Sequence, residues 1–265
     1  MEFTDVLYEV DDGGYAVITI NRPKVMNAFR SQTVDELIEA FQRAWADRSV
    51  GAVILTGAGE KAFCTGGDQA TREESGYQGK PVRSDLGLEI EDLHSIIRDI
   101  PKPVIAAVNG YAIGGGHVLH VLCDLTIAAE TAQFGQVGPK VGSVDPGFGT
   151  AFLTRVVGEK RAREIWYLCR RYTAAEAFQM GLVNKVVPAA QLMEEARSWA
   201  RECAERSPTA IKLAKASFNA ESEHIRGVAA VALRGLALYY ATDEAAEGKN
   251  AFLEKRKPNF RKFRT

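Results

Sequence analysis

Apolar residues recur along the first half of the chain with the spacing of alternating strands and helices. Two short runs rich in β-branched residues, Tyr15–Ile20 and Ala52–Leu55, predict strands. Between them, apolar residues fall at helical spacing: Val34, Leu37, Ile38, Phe41 and Trp45. A second helical pattern stops at Pro101 and Pro103, before a predicted strand at Val104–Val108. This alternation favours parallel strands joined by helices.

After Lys160 the strand patterns nearly disappear and helical patterns dominate. Thr173 and Glu176 form a capping-box pattern, and Ser207 before Pro208 is typical of a helix start. A long apolar helix is predicted up to Tyr240, followed by another helix start at Thr242. We therefore predict an α/β core over residues 1–200 and a helical C-terminal region over residues 201–265.

Composition excludes several classes of protein. The 265 residues carry 33 Lys and Arg against 34 Asp and Glu, so net charge attracts the chain to neither nucleic acid nor an anionic membrane. No apolar run is long enough to span a bilayer, and the N-terminus lacks the pattern of a signal peptide. The four cysteines are scattered, as expected of reduced thiols in a cytoplasmic protein without a cysteine metal site.

Two glycine clusters follow predicted strands. The first is FCTGGDQ at residues 63–69, and the second is GYAIGGGH at residues 110–117. Glycines at such positions let backbone N–H groups approach a ligand, and two N–H groups on one oxygen form an oxyanion hole. Each cluster taken alone fits a tight structural turn equally well. Neither matches the nucleotide-binding glycine motifs.

The segment from residue 70 to residue 87 is polar and irregular, with several glycines. A long loop of this kind is either an active-site lid or a surface insertion.

The glycine clusters, NRPKVMNAF near the start, FGQVGPKVGSVDPGFG in the middle and the basic end together resemble the crotonase (enoyl-CoA hydratase/isomerase) superfamily. This resemblance implies a spiral core of ββα units, an acyl-CoA substrate and oxyanion donors at Gly67 and Gly115. It also implies a homotrimer or homohexamer with the C-terminal helices at subunit contacts, and no required cofactor. Residues that it places at the substrate or its coenzyme A moiety are Cys64, Gly66, Asp68, Gln69, Phe252 and Lys255.

The positions of acid–base residues argue against hydration of a double bond. Hydratases of this superfamily carry two glutamates where this chain has Val118 and Gly138. Ser143 and Asp145 remain in the neighbouring glycine-rich loop. From the residues alone, Asp145 fits a loop carboxylate that accepts backbone N–H groups. The resemblance instead assigns it to acid–base chemistry.

The loop around Asp145 is similar to the branch that contains 2-ketocyclohexanecarboxyl-CoA hydrolase and 1,4-dihydroxy-2-naphthoyl-CoA synthase. This likeness places Ser143, Asp145 and Tyr77 at the reacting end, with Tyr240 supplied by a neighbouring subunit. It also implies a possible bicarbonate or chloride site, at Gln136, Gly138 and Trp166. Trp166 equally fits a core position. His117 and His120 are three residues apart, but packing is favoured over a metal site because no third ligand is evident.

Three functions follow from these features. The favoured one is hydrolytic opening of a cyclic 3-keto acyl-CoA, supported by SVDPGFGTAFL and RSPTAIKLAKASFN. The second is Claisen-type ring closure by a naphthoyl-CoA synthase, supported by HVLH after the glycines. The third is a crotonase-like protein without enzymatic activity, as in relatives that bind RNA. The balanced charge argues against RNA binding.

Overall fold

Twelve strands and ten α-helices make up the described part of the chain. The computed structural model describes residues 3–73, 76–77 and 84–264, without the side chains of residues 73 and 76. The strands are β1 (Val6–Asp11), β2 (Tyr15–Ile20), β3 (Ala52–Gly57), β4 (Ala62–Cys64), β5 (Arg72–Glu73), β6 (Gly76–Tyr77), β7 (Val104–Val108), β8 (Tyr111–Ile113), β9 (Leu125–Ala129), β10 (Gln133–Gly135), β11 (Tyr172–Thr173) and β12 (Lys185–Val187). The helices are α1 (Ser31–Ala46), α2 (Ile90–Asp99), α3 (Gly115–Leu122), α4 (Leu153–Val157), α5 (Glu159–Leu168), α6 (Ala174–Gln179), α7 (Leu192–Ala204), α8 (Pro208–Ala220), α9 (His224–Tyr240) and α10 (Asp243–Leu253).

The chain alternates between two sheets. A six-stranded sheet has the order β1-β2-β3-β7-β9-β12, and a four-stranded sheet has the order β11-β10-β8-β4. Strands β3, β7 and β9 lie in the large sheet, and β4, β8 and β10, which follow them, lie in the small one. Helix α3 follows β8 directly, which completes a ββα unit. The expected spiral of ββα units and the α/β class are confirmed.

The large sheet is buried on both faces. Strands β3 and β7 have no exposed residue, which explains why their sequences are continuous apolar runs. Alternate residues of these strands pack on opposite layers because the side-chain period of a strand is two. One set packs with α7, and the other packs with α1, α2 and the small sheet.

Most predicted elements are confirmed, with differences at their ends. The predicted strand at Ala52–Leu55 extends to Gly57, and Trp45, on the predicted apolar face of α1, is partly exposed. Strand β1 was not predicted, although it pairs antiparallel with β2 over its whole length. Strands β11 and β12 also lie in the part of the chain where only helices were expected. They have two and three residues, too few to show a period of two.

Three helix starts that the sequence predicts are confirmed by their side-chain caps. Thr173 and Glu176 form the reciprocal capping box of α6. The side chain of Ser207 accepts a hydrogen bond from the Ala210 N–H, and that of Thr242 accepts one from the Ala245 N–H. The expected boundary at residue 200 falls inside α7, so the helical C-terminal region begins with α8.

The C-terminal helices leave apolar side chains in solvent. Val228, Val231 and Leu238 of α9 are exposed in the single chain. Subunit association through these helices stays a prediction. No helix within the described ranges is both long enough and apolar enough to cross a bilayer.

A buried lysine attaches α8 to the α/β core. Lys215 Nζ lies 2.6 Å from Asp124 Oδ2 and donates to the carbonyls of Ile97, at 3.2 Å, and Lys102, at 3.0 Å. The side chain of Lys215 is 7% exposed and that of Asp124 is 30% exposed. All three N–H groups of this ammonium are therefore hydrogen bonded. Their acceptors lie between the end of α2 and the start of β9.

We expect Lys215→Met to lower the free energy of unfolding by about 3 kcal/mol, because it removes one partner of a largely buried ion pair. Equilibrium unfolding in urea measures this change. Lys212→Met is the matched control, because Lys212 is exposed on the same helix and its replacement should change stability by less than about 0.5 kcal/mol. Equal stability of the two variants would contradict the role of Lys215.

Candidate active site

A cavity of about 1110 Å³ lies between the glycine turns of the core and the C-terminal helices. Both glycine clusters, the loop around Asp145, helix α2 and helix α9 contribute to its wall. The strands that precede the glycine clusters, β4 and β8, are parallel neighbours in the small sheet. The two turns therefore leave the sheet at the same edge and meet at the cavity.

The first glycine turn is held by a short bridge to Phe29, two residues before α1. The Phe29 N–H donates to the Gly66 carbonyl at 2.8 Å, and the Asp68 N–H donates to the Phe29 carbonyl at 2.8 Å. Gly66 has a φ of +85°, a conformation that favours glycine. The N–H of Gly67, between these two bonds, has no acceptor among the described residues. It is free to donate into the cavity.

The second glycine turn starts helix α3. Gly114 has φ 58° and ψ −125°, which side chains rarely tolerate, and Gly115 is the first helical residue. No described acceptor is bonded to the Gly115 N–H, as expected for the first turn of a helix. A Cβ atom on Gly66 would lie 2.8 Å from the Gly115 nitrogen, so the two turns are in direct contact.

The other residues of the first motif support this turn. Asp68 accepts from Arg22 Nη2 at 3.1 Å and from the Ala70 N–H at 3.2 Å. Gln69 Nε2 donates to the Gly67 carbonyl at 3.1 Å. Gly66, Asp68 and Gln69 line the cavity as expected. Their polar side chains also fix the position of Gly67.

Cys64 does not line the cavity, contrary to the expectation that it lies at the substrate. It is fully buried, and its sulfur accepts the Gly66 N–H at 3.4 Å. Burial raises the pKa of the Cys64 thiol to about 12. The residue is therefore a protonated packing group beneath the turn, not a nucleophile.

A serine and two tyrosines meet opposite the glycine turns. The Ser143 and Tyr240 hydroxyls lie 2.7 Å apart, and the rings of Tyr77 and Tyr240 are edge to face at 6.4 Å. A Cβ atom on Gly67 would collide with the Tyr77 hydroxyl, so this phenol reaches the first oxyanion turn. Burial raises the pKa of Tyr77 well above its usual range, which keeps it a hydrogen-bond donor.

In the single chain, Tyr240 lies beside Ser143 of the same chain, and supply of this tyrosine by a neighbouring subunit stays a prediction. Helix α9 folds back over its own core, and its last residue is buried beside the loop at residues 141–145. Arg72, which is 2% exposed, donates to the carbonyls of Val141, Gly142 and Ala245. Its guanidinium also stacks over the Tyr240 ring at 4.5 Å.

Asp145 lies on the cavity wall with one of its carboxylate oxygens occupied. Its Oδ1 accepts from the N–H groups of Gly149, at 2.8 Å, and Gly147, at 3.3 Å. Asp145 therefore has the backbone-capping role that its sequence context allowed. Its Oδ2 has no hydrogen-bond donor within the described ranges. This oxygen can accept a hydrogen bond from a molecule in the cavity.

His94 is a cavity residue that was not predicted from the sequence. It belongs to α2, is 2% exposed, and its Nε2 has no hydrogen-bond partner in the described part of the chain. It falls on the apolar face of α2, four residues after Ile90 and three before Ile97. In the sequence, a histidine on the apolar face of a predicted helix is the feature that could have identified it as a site residue.

The residues of the expected anion site line the same cavity, and two of their side chains donate to backbone carbonyls. Trp166 Nε1 donates to the Gly149 carbonyl at 2.6 Å, and Gln136 Nε2 lies 3.3 Å from the Gly114 carbonyl. A Cβ atom on Gly138 would lie 2.5 Å from the Ser143 carbonyl oxygen, so this glycine allows close packing of the loop. Binding of a bicarbonate or chloride by these residues stays a prediction.

His117 and His120 pack against each other inside the core. Their rings are 4.8 Å apart and edge to face. Burial lowers the pKa of His117 to about 3 and that of His120 well below its usual range, so both are neutral. The described residues place no carboxylate or thiol with them that would complete a metal-binding set.

The basic end of the chain contributes to the cavity mouth through other residues than expected. Phe252 lines the cavity, but Lys255 does not. Lys255 has a φ of +55°, and the chain turns so that Arg256 and Lys257 line the mouth instead. Lys140 and Arg171 line the same cavity. Positive side chains therefore collect on this wall, although Arg256 is itself paired with Glu247 and Glu254.

Comparison with known proteins agrees with this geometry. A family model described as enoyl-CoA hydratase/isomerase matches residues 11–263. An enoyl-CoA hydratase structure from Mycobacterium avium subsp. paratuberculosis K-10 is 28% identical with a TM-score of 0.86, and the match covers 98% of this chain and 99% of that one. An enoyl-CoA hydratase structure from Bacillus anthracis is 34% identical with a TM-score of 0.75, and the match covers 97% and 98% of the two chains. The chain belongs to the enoyl-CoA hydratase/isomerase family.

Proposed function

We propose that the chain opens the ring of a cyclic 3-keto acyl-CoA by hydrolysis of a carbon–carbon bond, as in the conversion of 2-ketocyclohexanecarboxyl-CoA to pimeloyl-CoA. The observation that supports this proposal is the presence, in one cavity, of two free glycine amides and the group formed by Ser143, Asp145 and Tyr240. The amides suit a thioester oxygen. The second group suits a ketone two carbons away.

The thioester end needs donors that act on developing negative charge. The N–H groups of Gly67 and Gly115 are fixed by the turns before the substrate arrives. Donors fixed in advance around an enolate oxygen contribute about 3–4 kcal/mol each to stabilisation of the transition state. The same two donors serve any reaction of a thioester enolate, so they define the substrate class and not the reaction.

The reaction is defined at the ketone end. Asp145, through its free Oδ2 and with the Ser143 hydroxyl nearby, activates a water molecule that attacks the ring ketone. Collapse of the tetrahedral adduct breaks the bond between the ketone carbon and the α-carbon. The electron pair moves into the thioester to form the enolate, and protonation of the α-carbon gives a dicarboxylic mono-CoA ester. The Tyr77 and Tyr240 hydroxyls line the same cavity and can donate to the ketone oxygen.

The residues at two positions of the fold disfavour hydration of a double bond. Val118, at one position where hydratases of the superfamily carry glutamate, is buried and apolar. Gly138, at the other, has the Ser143 carbonyl too close for a larger side chain. Paired carboxylates for addition of water are therefore missing from both positions.

Product masses test the proposed reaction directly. We expect the purified protein to add one water to 2-ketocyclohexanecarboxyl-CoA, and to leave crotonyl-CoA unhydrated. Loss of one water from o-succinylbenzoyl-CoA would instead establish ring closure by a naphthoyl-CoA synthase. Inactivity on the two ring-forming or ring-opening substrates, together with failure to bind any acyl-CoA, would favour a role without catalysis.

Asp145→Asn should lower kcat for ring opening by about 10²- to 10⁴-fold, because a neutral amide cannot supply the negative charge that activates the water. The amide oxygen of Asn can still accept from Gly149, so the loop should remain in place. Binding of an unreactive acyl-CoA, measured by calorimetry, is therefore expected to change little.

The control for this variant is Asp243→Asn. Asp243 is an exposed residue in the first turn of α10 and does not line the cavity. Its replacement should leave kcat unchanged. Wild-type turnover in Asp145→Asn would show that the acid–base assignment is wrong.

A further inference from the structure

His94 has the features of a functional group and not only of a packed core residue. It is buried on α2, lines the same cavity as Asp145, and its Nε2 has no hydrogen-bond partner within the described ranges. Buried polar atoms are normally bonded, and an unpaired one calls for an explanation. His117 and His120 share an unpaired buried Nε2, and His94 differs from them because its side chain lines the cavity.

The segment after Asp145 fixes the ring of His94. The Phe148 ring packs edge to face on the imidazole at 5.7 Å and an interplanar angle of 90°. Phe148 begins the π-helical turn Phe148–Phe152, whose Gly149 N–H is bonded to Asp145 Oδ1. The same turn therefore positions the imidazole and the carboxylate. π-Helical turns are frequent at functional sites.

Burial and the nearby charge act on His94 in opposite directions. Burial lowers the pKa of His94, and the Asp145 carboxylate raises it in part. The imidazole is therefore neutral near pH 7 and can accept a proton. The carboxylate stabilises the imidazolium that results.

The other titratable groups around His94 are engaged elsewhere or stay neutral. Tyr77 lines the same cavity, and burial raises its pKa, so that it stays a neutral phenol. On the packed elements, side chains already bonded elsewhere are Arg98 with Ser222, His117 with Gln136, His120 with Thr126, and Glu36 with the backbone at residues 4–6. Asp145 is thus the charged group that controls His94 within the described residues.

We propose that His94 is a second acid–base residue of this site, paired with Asp145. This inference rests on the proposed ring opening. The imidazole takes one proton from the water as its oxygen bonds to the ketone carbon, and Asp145 stabilises the imidazolium. After the carbon–carbon bond breaks and its electron pair enters the thioester enolate, the imidazolium returns the proton to the α-carbon. The net change is addition of one water, with His94 and Asp145 unchanged.

His94→Gln should lower kcat for 2-ketocyclohexanecarboxyl-CoA by about 10²-fold, with KM within about threefold of wild type. The acidic limb of the kcat/KM profile against pH should leave its wild-type position, because the imidazole that protonates there is gone. A packing role would not move this limb. His94→Asn serves the same test if the first variant does not fold.

The matched control is His120→Gln, which removes another buried imidazole whose Nε2 is unpaired, at a position outside the cavity. The acidic limb of the kcat/KM profile of His120→Gln should stay at the same pH as in the wild type. If His94→Gln retains wild-type kcat and an unchanged limb, His94 is only a core residue.

A substrate-independent measurement separates this inference from the proposed function. Nitrogen-15 NMR of the imidazoles gives the pKa of His94 in the wild type and in Asp145→Asn. We expect the pKa of His94 to fall in the variant, because the carboxylate that raises it is removed. An unchanged pKa would contradict the pairing even if ring opening occurs. Failure of wild-type ring opening with a shifted pKa would overturn the proposed reaction alone.

Discussion

The contact between the two glycine turns is the constraint on which the candidate site depends. A side chain at Gly66 would enter the space of the Gly115 nitrogen, and one at Gly116 would collide with the Cys64 carbonyl. Strands β4 and β8 are adjacent and parallel, so the turns that follow them have to share one narrow space. Glycine is the residue that fits there, and the result is a pair of unbonded amides beside each other. The geometry of the sheet thus creates the donors, and the cavity is built around them.

The cavity places different kinds of group at its two ends. Neutral backbone amides lie at one end, which suits an oxygen that gains charge only during a reaction. Titratable side chains lie at the other, where Arg72 adds a buried cation behind the Tyr240 ring. Because Arg72 and Tyr240 are buried, their charge and dipole act more strongly than they would on the surface.

The sequence was sufficient for features that depend on short segments. Strand β2, the caps of α6 and α8 and the glycine turns follow from residues within a few positions of one another. The contact of Tyr240 with Ser143 of the same chain could not be predicted, because it depends on how α9 packs on the core. Arg256 and Lys257 line the cavity where Lys255 was expected, because the backbone turns at Lys255. No local sequence pattern specifies this turn. His94 was visible as a histidine on an apolar helical face, but its proximity to Asp145 required the tertiary fold.

The bond between Ser143 and Tyr240 joins residues 97 positions apart. The reacting end of the cavity therefore does not exist in a chain whose core has folded but whose C-terminal helices are still undocked. A ligand that touches both parts binds only the docked state, and so it stabilises docking in proportion to the logarithm of its concentration. Substrate would then act as a folding cofactor for the last three helices, and their resistance to proteolysis would report how much of it is present.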